Sequence, residues 1–454
     1  MKIMKITLVR VNIPTLQLVP PLGLGYISSY LNKNGIETKI IDGLRDNLSN
    51  EQISEIIKNE KPDAVGIGCL TAEYNVVMNL SNLLKENGNR VILGGIHPSV
   101  FPYSTLVDSK ADFVICGDGE IAFTKLALNN FQNKGLKGIY ALKDLKEDEG
   151  NIAFAEYEEN LDELPFPSWE QMLPKTYRIR PAGLIYKKMP IGYIITSRGC
   201  VFNCVFCACP YIAKNKVRFR SVENVISEIQ ELINKYGVKE IKFIDDNIAF
   251  KKEHIIGLCD ALTANNIKIP WSCTGFRANN VDDTVISKMK NAGCYNISIG
   301  IESADKTILR NVKKGETIEE ITNAINIIHK YNIICGGLFI FGLPGETKET
   351  MMKTMNFALK SRLTLATFNI LDILPGSQLW QALNYKFNRN ELENSYSQPR
   401  DIYTNITNHD IILMQRKAFR SFYFRPKIAL KLLKFIKKEP VMYFFERLFK
   451  TVKE

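Results

Sequence analysis

The chain of 454 residues is 45% hydrophobic and 24% charged, which is ordinary for a globular protein with room for two or three domains. Its formal charge of +11 is concentrated at one end: from Ile411 onward, twelve lysines and arginines stand against three glutamates. This excludes a generally basic protein and points to a surface-binding tail. No apolar run is long enough to span a bilayer, and Met1 to Arg10 reaches Asn12 and Pro14 too soon for a secretory h-region. The ten cysteines therefore read as reduced cytoplasmic thiols rather than a disulfide framework.

From residue 1 to 134, strand-like and helix-like segments alternate. The runs 3–11, 38–41, 64–69, 90–93 and 113–115 are buried-strand patterns, and 22–34, 49–59, 73–87 and 121–130 are the helices between them. Such alternation predicts a doubly wound parallel sheet with a ligand crevice at the strands' C-terminal ends. Gly43, Gly94-Gly95 and Gly117-Asp118-Gly119 fall at those ends, where glycine lets a large ligand approach the backbone. Periodicity alone also allows a flavodoxin-like scaffold without a ligand. Pro20-Pro21-Leu22-Gly23-Leu24-Gly25-Tyr26, Gly94-Gly95-Ile96-His97-Pro98-Ser99 and Gly117-Asp118-Gly119-Glu120 resemble motifs of the cobalamin-binding domain fused ahead of many radical S-adenosylmethionine (SAM) barrels. The resemblance implies corrin contacts at Leu22, Gly23, Asp42, Leu44, Thr71, Gly94, Gly95, His97, Gly117, Gly119 and Glu120. It departs from the D-x-H-x-x-G pattern at Asp42-Gly43-Leu44, because Leu44 stands where the cobalt-ligating His would. That implies base-off cobalamin without a His ligand, or a domain that has lost the corrin; His97 as a replacement ligand is the lesser reading.

Residues 135–189 read as a connector, with the Pro-rich and aromatic stretch 161–169 as an extended strap. The next apolar strand, 191–196, runs into Ser197-Arg198-Gly199-Cys200-Val201-Phe202-Asn203-Cys204-Val205-Phe206-Cys207. Three thiols spaced C-x3-C-x2-C on a loop at a strand's C-terminal end can close on one soft-metal centre, and a three-thiolate cubane keeps one iron open. A structural zinc knuckle completed by Cys209 or a distant His is the alternative. With Phe206 before the third cysteine, the stretch resembles the radical SAM signature. The resemblance implies a [4Fe–4S] cluster on Cys200, Cys204 and Cys207, SAM on the open iron, and an electron donor such as flavodoxin or ferredoxin.

Strand patterns at 191–196, 240–244, 268–274, 296–301, 333–341 and 367–373, separated by helical ones, fit the partial (β/α)6 TIM-like barrel of that family over 190–385. Polar residues after these strands are the candidates for holding SAM: Asp245 and Asp246, Arg277, Glu302 and Ser303, and Pro375 in Leu374-Pro375-Gly376-Ser377. An ammonium needs an acceptor, a carboxylate a cation and a ribose paired acceptors. Any one of them is also a plausible helix N-cap, Ser377 as readily as a ligand contact. Asp245-Asp246 as a paired-carboxylate hydrolase leaves the cysteines unexplained. His254 and His329 are read without a role.

Residues 386–454 form a basic, helical C-terminal region. Lys427, Lys431, Lys434 and Lys438 recur beside Ile428, Leu432, Phe435 and Ile436, a pattern that suits a helix in a membrane interface or a solvated face over a packed helix. The segment Arg420-Ser421-Phe422-Tyr423-Phe424-Arg425-Pro426 resembles the tail of the branch containing the anaerobic Mg-protoporphyrin cyclase and lipid-modifying members. The whole reading is an α/β enzyme: a Rossmann-like cobalamin-binding-type domain, then a radical SAM barrel and the helical tail. It implies C-methylation of an unactivated carbon on a hydrophobic lipid, isoprenoid or tetrapyrrole-like substrate, through a radical made by cleaving SAM. The alternatives are cobalamin-independent cyclisation or C–C coupling, and natural-product or peptide methylation. A tRNA methylthiotransferase needs a cysteine-bearing N-terminal domain, for which Cys69 and Cys116 are too few, and no nucleic-acid partner is expected.

Overall fold

The structure is a computed structural model that describes residues 3–15, 18–147, 152–177, 185–382 and 404–433. The chain divides into two compact units at Arg178 and Ile179.

The first unit carries a six-stranded sheet in the order β2-β1-β3-β4-β5-β6, made of β1 (Lys5–Arg10), β2 (Glu37–Asp42), β3 (Ala64–Gly68), β4 (Val91–Gly94), β5 (Phe113–Ile115) and β6 (Ile139–Tyr140). The first five run parallel and β6 is antiparallel. Order 2-1-3-4-5 reverses direction between β1 and β3, which puts a crevice at their C-terminal ends. Helices Leu22–Lys33, Asn50–Glu60, Tyr74–Glu86 and Glu120–Leu128 cover the sheet, close to the expected ranges. Two short helices between β4 and β5, Ile96–Val100 and Pro102–Ser109, are additions that the motif-based reading lacked.

The strap expected in the connector belongs to this unit. Trp169 and Met172 are fully buried, Ser168 Oγ lies 2.8 Å from Ser28 Oγ, and Ile40 N donates to Gln171 Oε1 at 2.7 Å. The stretch opens with a short 3-10 turn, Leu161–Glu163, and is free of helix around Pro165 and Pro167, where its side chains and backbone pair with the first helix and β2.

The second unit is a run of parallel βα repeats: β7 (Ile191–Ile194), then β8 (Ser197–Arg198) and β9 (Arg218–Phe219) as a small antiparallel pair, then β10 (Glu240–Phe243), β11 (Trp271–Phe276), β12 (Cys294–Glu302), β13 (Ile334–Phe341) and β14 (Leu365–Ile370). The six long strands lie in sequential order from β7 to β14, as a partial (β/α)6 barrel requires. Their helix-facing residues are apolar: Ile297, Ile299 and Ile301 of β12 are fully buried, as are Val225, Ile229 and Leu232 of helix Val222–Tyr236. That helix starts at the Ser221 cap and stops where Gly237 turns left-handed at φ 66°.

The open edge at β14 is covered by the helix Asn408–Tyr423. Tyr423 Oη accepts from Ala366 N at 3.1 Å and donates to Ala366 O at 2.8 Å, while Gln415 Nε2 donates to Phe368 O at 2.7 Å. The tyrosine thereby satisfies both backbone groups of Ala366 on this edge strand. Tyr423→Phe should cost about 1–3 kcal/mol, the range for stranding buried polar groups, and a lowered melting temperature of the anaerobic protein would report it.

Candidate active site

The cysteine loop leaves β7 and is fastened at its entrance by a buried carboxylate. Asp245, just after β10, accepts at one oxygen from Thr196 N (2.9 Å), Thr196 Oγ1 (2.7 Å), Ser197 N (2.6 Å) and Ser197 Oγ (2.8 Å). Burial raises its pKa, and these bonds work the other way. Its other oxygen, Oδ2, is buried and unpartnered. Asp246 is exposed and accepts from Gly199 N at 3.0 Å. Gly199 has φ 101°, and a Cβ there would sit 2.2 Å from Lys216 O, so only glycine permits this approach.

The middle of the loop is held at Val205, whose N donates to Val312 O (3.1 Å) and whose O accepts from Leu379 N (3.0 Å). Val205 sits in a buried apolar cluster with Ile308, Val312, Leu343, Leu371 and Ile373, and Phe206 packs against it. These ties converge on the three thiols. Cys204 is buried and accepts from Arg277 Nη1 at 3.8 Å, and Cys207 accepts from Cys209 N at 3.4 Å. Cys209 donates its thiol to Cys200, which lowers the Cys200 pKa and raises its own. Burial pushes Cys207 up to about 11 and also raises Cys204. As the side chains stand, no three metal-ligating groups among the described residues converge on one point, so seating a cluster requires the loop thiols to change rotamer.

The donor chemistry fits a cluster and a ligand with a cationic amine. Three thiols share one clamped loop beside a guanidinium, and the orphaned Asp245 Oδ2 lies at the same junction. Asn247, two residues on and 2% exposed, has both amide atoms unpartnered, a feature the motif reading passed over.

The remaining candidates are less free than the sequence suggests. Arg277, read as a contact for a carboxylate, donates to Lys314 O, pairs with Glu316 at 3.7 Å and lies 3.7 Å over the Phe202 ring. Glu302 takes an unusual φ of 63° at the end of β12 and pairs with Lys314 at 3.1 Å. Ser303 is fully buried and serves a turn, bonding Thr354 Oγ1 (3.2 Å) and accepting from Asp305 N (3.2 Å). Pro375 is buried; Ser377 is fully buried and accepts from Trp380 N at 3.2 Å, as an N-cap does. Lys314 and Glu316 escaped notice because Val312-Lys313-Lys314-Gly315-Glu316 reads as a solvated turn.

In the first unit, the C-terminal ends of β3 and β4 carry two exposed apolar side chains, Leu70 (48%) and Ile96 (39%). A Cβ on Gly23 would meet nothing within 4 Å, and one on Gly94 only Ile115 O at 3.9 Å. Open glycines beside exposed apolar groups suit a broad, flat ligand. Leu44 is half-buried, Gly95 and Gly117 are left-handed, Gly119 precedes a helix, and Leu22 and Glu120 are buried. Asp42 is fully buried and committed: Arg10 grips it twice (2.7 and 2.6 Å), Tyr177 Oη donates at 2.7 Å, and Arg45 N donates at 3.1 Å. His97 is equally buried, with its ring 4.4 Å from that of Tyr74 and its Nδ1 3.3 Å from Thr71 Oγ1. It follows the C-terminal end of β4, and its fully buried ring packs against Tyr74.

The first unit is a doubly wound sheet with its switch point between β1 and β3, and the second carries a clamped three-cysteine loop on parallel βα repeats. The sequence matches the radical SAM superfamily over residues 194–358 and the B12 binding domain over 10–127. It is 33% identical over 448 residues to an uncharacterized methyltransferase of Pyrococcus horikoshii, covering 95% of each chain. It is 29% identical to the cytidylyl-2-hydroxyethylphosphonate methyltransferase of Streptomyces wedmorensis (82% of this chain, 79% of the relative). It is 27% identical to the anaerobic magnesium-protoporphyrin IX monomethyl ester cyclase of Cereibacter sphaeroides (80% and 60%). In fold it is similar to the radical SAM methyltransferase TsrM of Kitasatospora setae, at 16% identity, TM-score 0.68, and 94% and 86% coverage. The chain belongs to the cobalamin-dependent radical SAM methyltransferase family, whose cofactors are SAM, a [4Fe–4S] cluster and cobalamin.

Two outcomes follow. Asp245→Ala strands the four donors of Thr196 and Ser197, so reconstituted protein should carry severalfold less iron while its far-ultraviolet circular dichroism is retained. Burial lowers the His97 pKa from 6.5 to about 3. Between those values the unfolded chain binds the extra proton, so this site's contribution is intact above pH 6.5 and is lost as pH falls toward 3, by about 1.4 kcal/mol per pH unit. Urea midpoints of His97→Leu should therefore fall less steeply between pH 6 and 4 than those of the wild type.

Proposed function

We propose that the protein C-methylates an unactivated carbon of a hydrophobic, lipid, isoprenoid or tetrapyrrole-like substrate. The observation that carries the site assignment is the cysteine loop, clamped by Asp245 and Val205 beside an orphaned carboxylate oxygen. When bound, the cluster and SAM supply hydrogen-atom abstraction and the corrinoid supplies a methyl group. Cys200, Cys204 and Cys207 would hold the cluster, where SAM would bind. Asp245 keeps the loop in place and its unpartnered Oδ2 would be the acceptor for the SAM amine, while Arg277 donates to Cys204. Gly23 and Gly94 leave the crevice open to the corrin, and Leu44 offers cobalt no nitrogen. The relative acting on magnesium-protoporphyrin monomethyl ester supports a large apolar substrate; the relative acting on a cytidylyl phosphonate supports a smaller anionic one. A flavodoxin or ferredoxin supplies electrons, and the ten free cysteines suit a reducing cytoplasm.

The tail supports contact with an anionic membrane. Phe424 (74%) and Leu430 (64%) are exposed beside exposed Lys427 and Lys431, whereas Ile428 and Leu432 pack inward. Residues 434–454, where the lysine stripe continues, lie outside the described residues. No helix among the described residues is long and apolar enough to cross a membrane.

The deciding experiment uses anaerobic protein reconstituted with iron, sulfide and hydroxocobalamin, then given SAM, dithionite and candidate substrates. A retained corrin band, 5′-deoxyadenosine and a product heavier by one methylene support the proposal, and Cys204→Ala should abolish all 5′-deoxyadenosine. A cyclised product of lower mass without retained corrin would replace methylation with cyclisation. Sedimentation with phosphatidylglycerol vesicles should fall severalfold for Phe424→Ser/Leu430→Ser; equal sedimentation would remove the membrane contact.

A further inference from the structure

Four buried charges form a chain behind the cysteine loop. Lys314 Nζ lies 3.1 Å from Glu302 Oε1 and 3.3 Å from Glu316 Oε2, Arg277 Nη2 lies 3.7 Å from the same Glu316 oxygen, and Arg277 Nη1 reaches Cys204 Sγ at 3.8 Å. All four residues are at most 7% exposed. Two cations and two anions cancel, so losing any single charge leaves the chain unbalanced. The Arg277 guanidinium is further held by Lys314 O and by the face of Phe202, and Asn279 N fixes Glu316 at 3.2 Å. Three elements meet here: the end of β11, the end of β12, and the segment 311–317, in which Val312, Lys314 and Glu316 turn inward and their neighbours outward.

We propose that Lys314, locked between Glu302 and Glu316, is a positioning residue that fixes Arg277 against Cys204 and sets the electrostatic potential of the cluster. The proposal rests on the assignment of Cys204 as a cluster ligand. Reduction adds an electron to the cluster, so a nearby cation favours the reduced form and a nearby anion opposes it, with little screening in a buried setting. A hydrogen bond to a ligating sulfur acts in the same direction as a cation. Lys314 therefore does two things. It balances the two glutamates, and by holding Glu316 it keeps Arg277 from abandoning Cys204 for an uncompensated carboxylate.

The test is an EPR-monitored potentiometric titration of the reconstituted cluster in full-length protein, with iron content measured alongside. Lys314→Met should lower the midpoint potential, Glu316→Gln should raise it, and the charge-neutral double variant should return toward wild type. Lys314→Arg should stay near wild type. Unchanged midpoints in both single variants with iron content intact would overturn the proposal, as would shifts of the same sign, which mark mere loosening of the loop. Should Lys314→Met assemble no cluster, the sign of the Glu316→Gln shift decides alone. A wild-type protein that yields no cluster signal overturns the ligand assignment itself, a failure distinct from that of the charge array.

Discussion

One buried carboxylate carries the architecture of the cysteine loop. Asp245 gathers four donors from Thr196 and Ser197 onto a single oxygen, so the chain leaves β7 in one direction only. Burial raises the pKa of this carboxylate, and the four donors, standing in for water, work against that rise. The same geometry leaves its second oxygen buried without a hydrogen-bond partner, the acceptor that the proposed SAM amine would use. Fixing the loop and presenting an acceptor are thus two halves of one residue, a common way to preorganise a site before its cofactor arrives.

Downstream, the loop is braced from further directions. Val205 is tied to the segment after β12 and to the segment after β14, so three separate strand ends report to one loop. In the first unit the logic is reversed. Asp42, two residues before Leu44, is spent on Arg10 and Tyr177, and His97 packs against Tyr74, while glycines and exposed Leu70 and Ile96 lie at the strand ends. Under the proposed reading, such a surface would hold a flat group by shape and apolar contact, with Leu44 standing where a histidine would.

The alternating strand and helix patterns of both units were legible in the sequence, because parallel strands buried on both faces read as short apolar runs. The cysteine loop was legible from its spacing alone. What sequence did not disclose was which polar groups are already occupied. Arg277 and Ser303 sit at strand ends like ligand contacts, yet three-dimensional neighbours far along the chain, Glu316 and Thr354, claim them. Lys314 and Glu316 lie in a Lys-Lys-Gly-Glu turn with no apolar periodicity, so nothing local announces their burial. In the tail, the aliphatic stripe that suited a membrane helix is partly core: Ile428 and Leu432 face inward, and the exposed groups are Phe424 and Leu430.

The central claim is that three thiolates from one clamped loop leave an iron open to SAM. Pulsed ENDOR spectroscopy of the reduced enzyme with SAM labelled with 15N at its amino group tests this most directly. The account predicts a 15N hyperfine coupling of a nitrogen bonded to the cluster in wild-type protein, lost in Cys204→Ala. A cluster signal without any 15N coupling would contradict it.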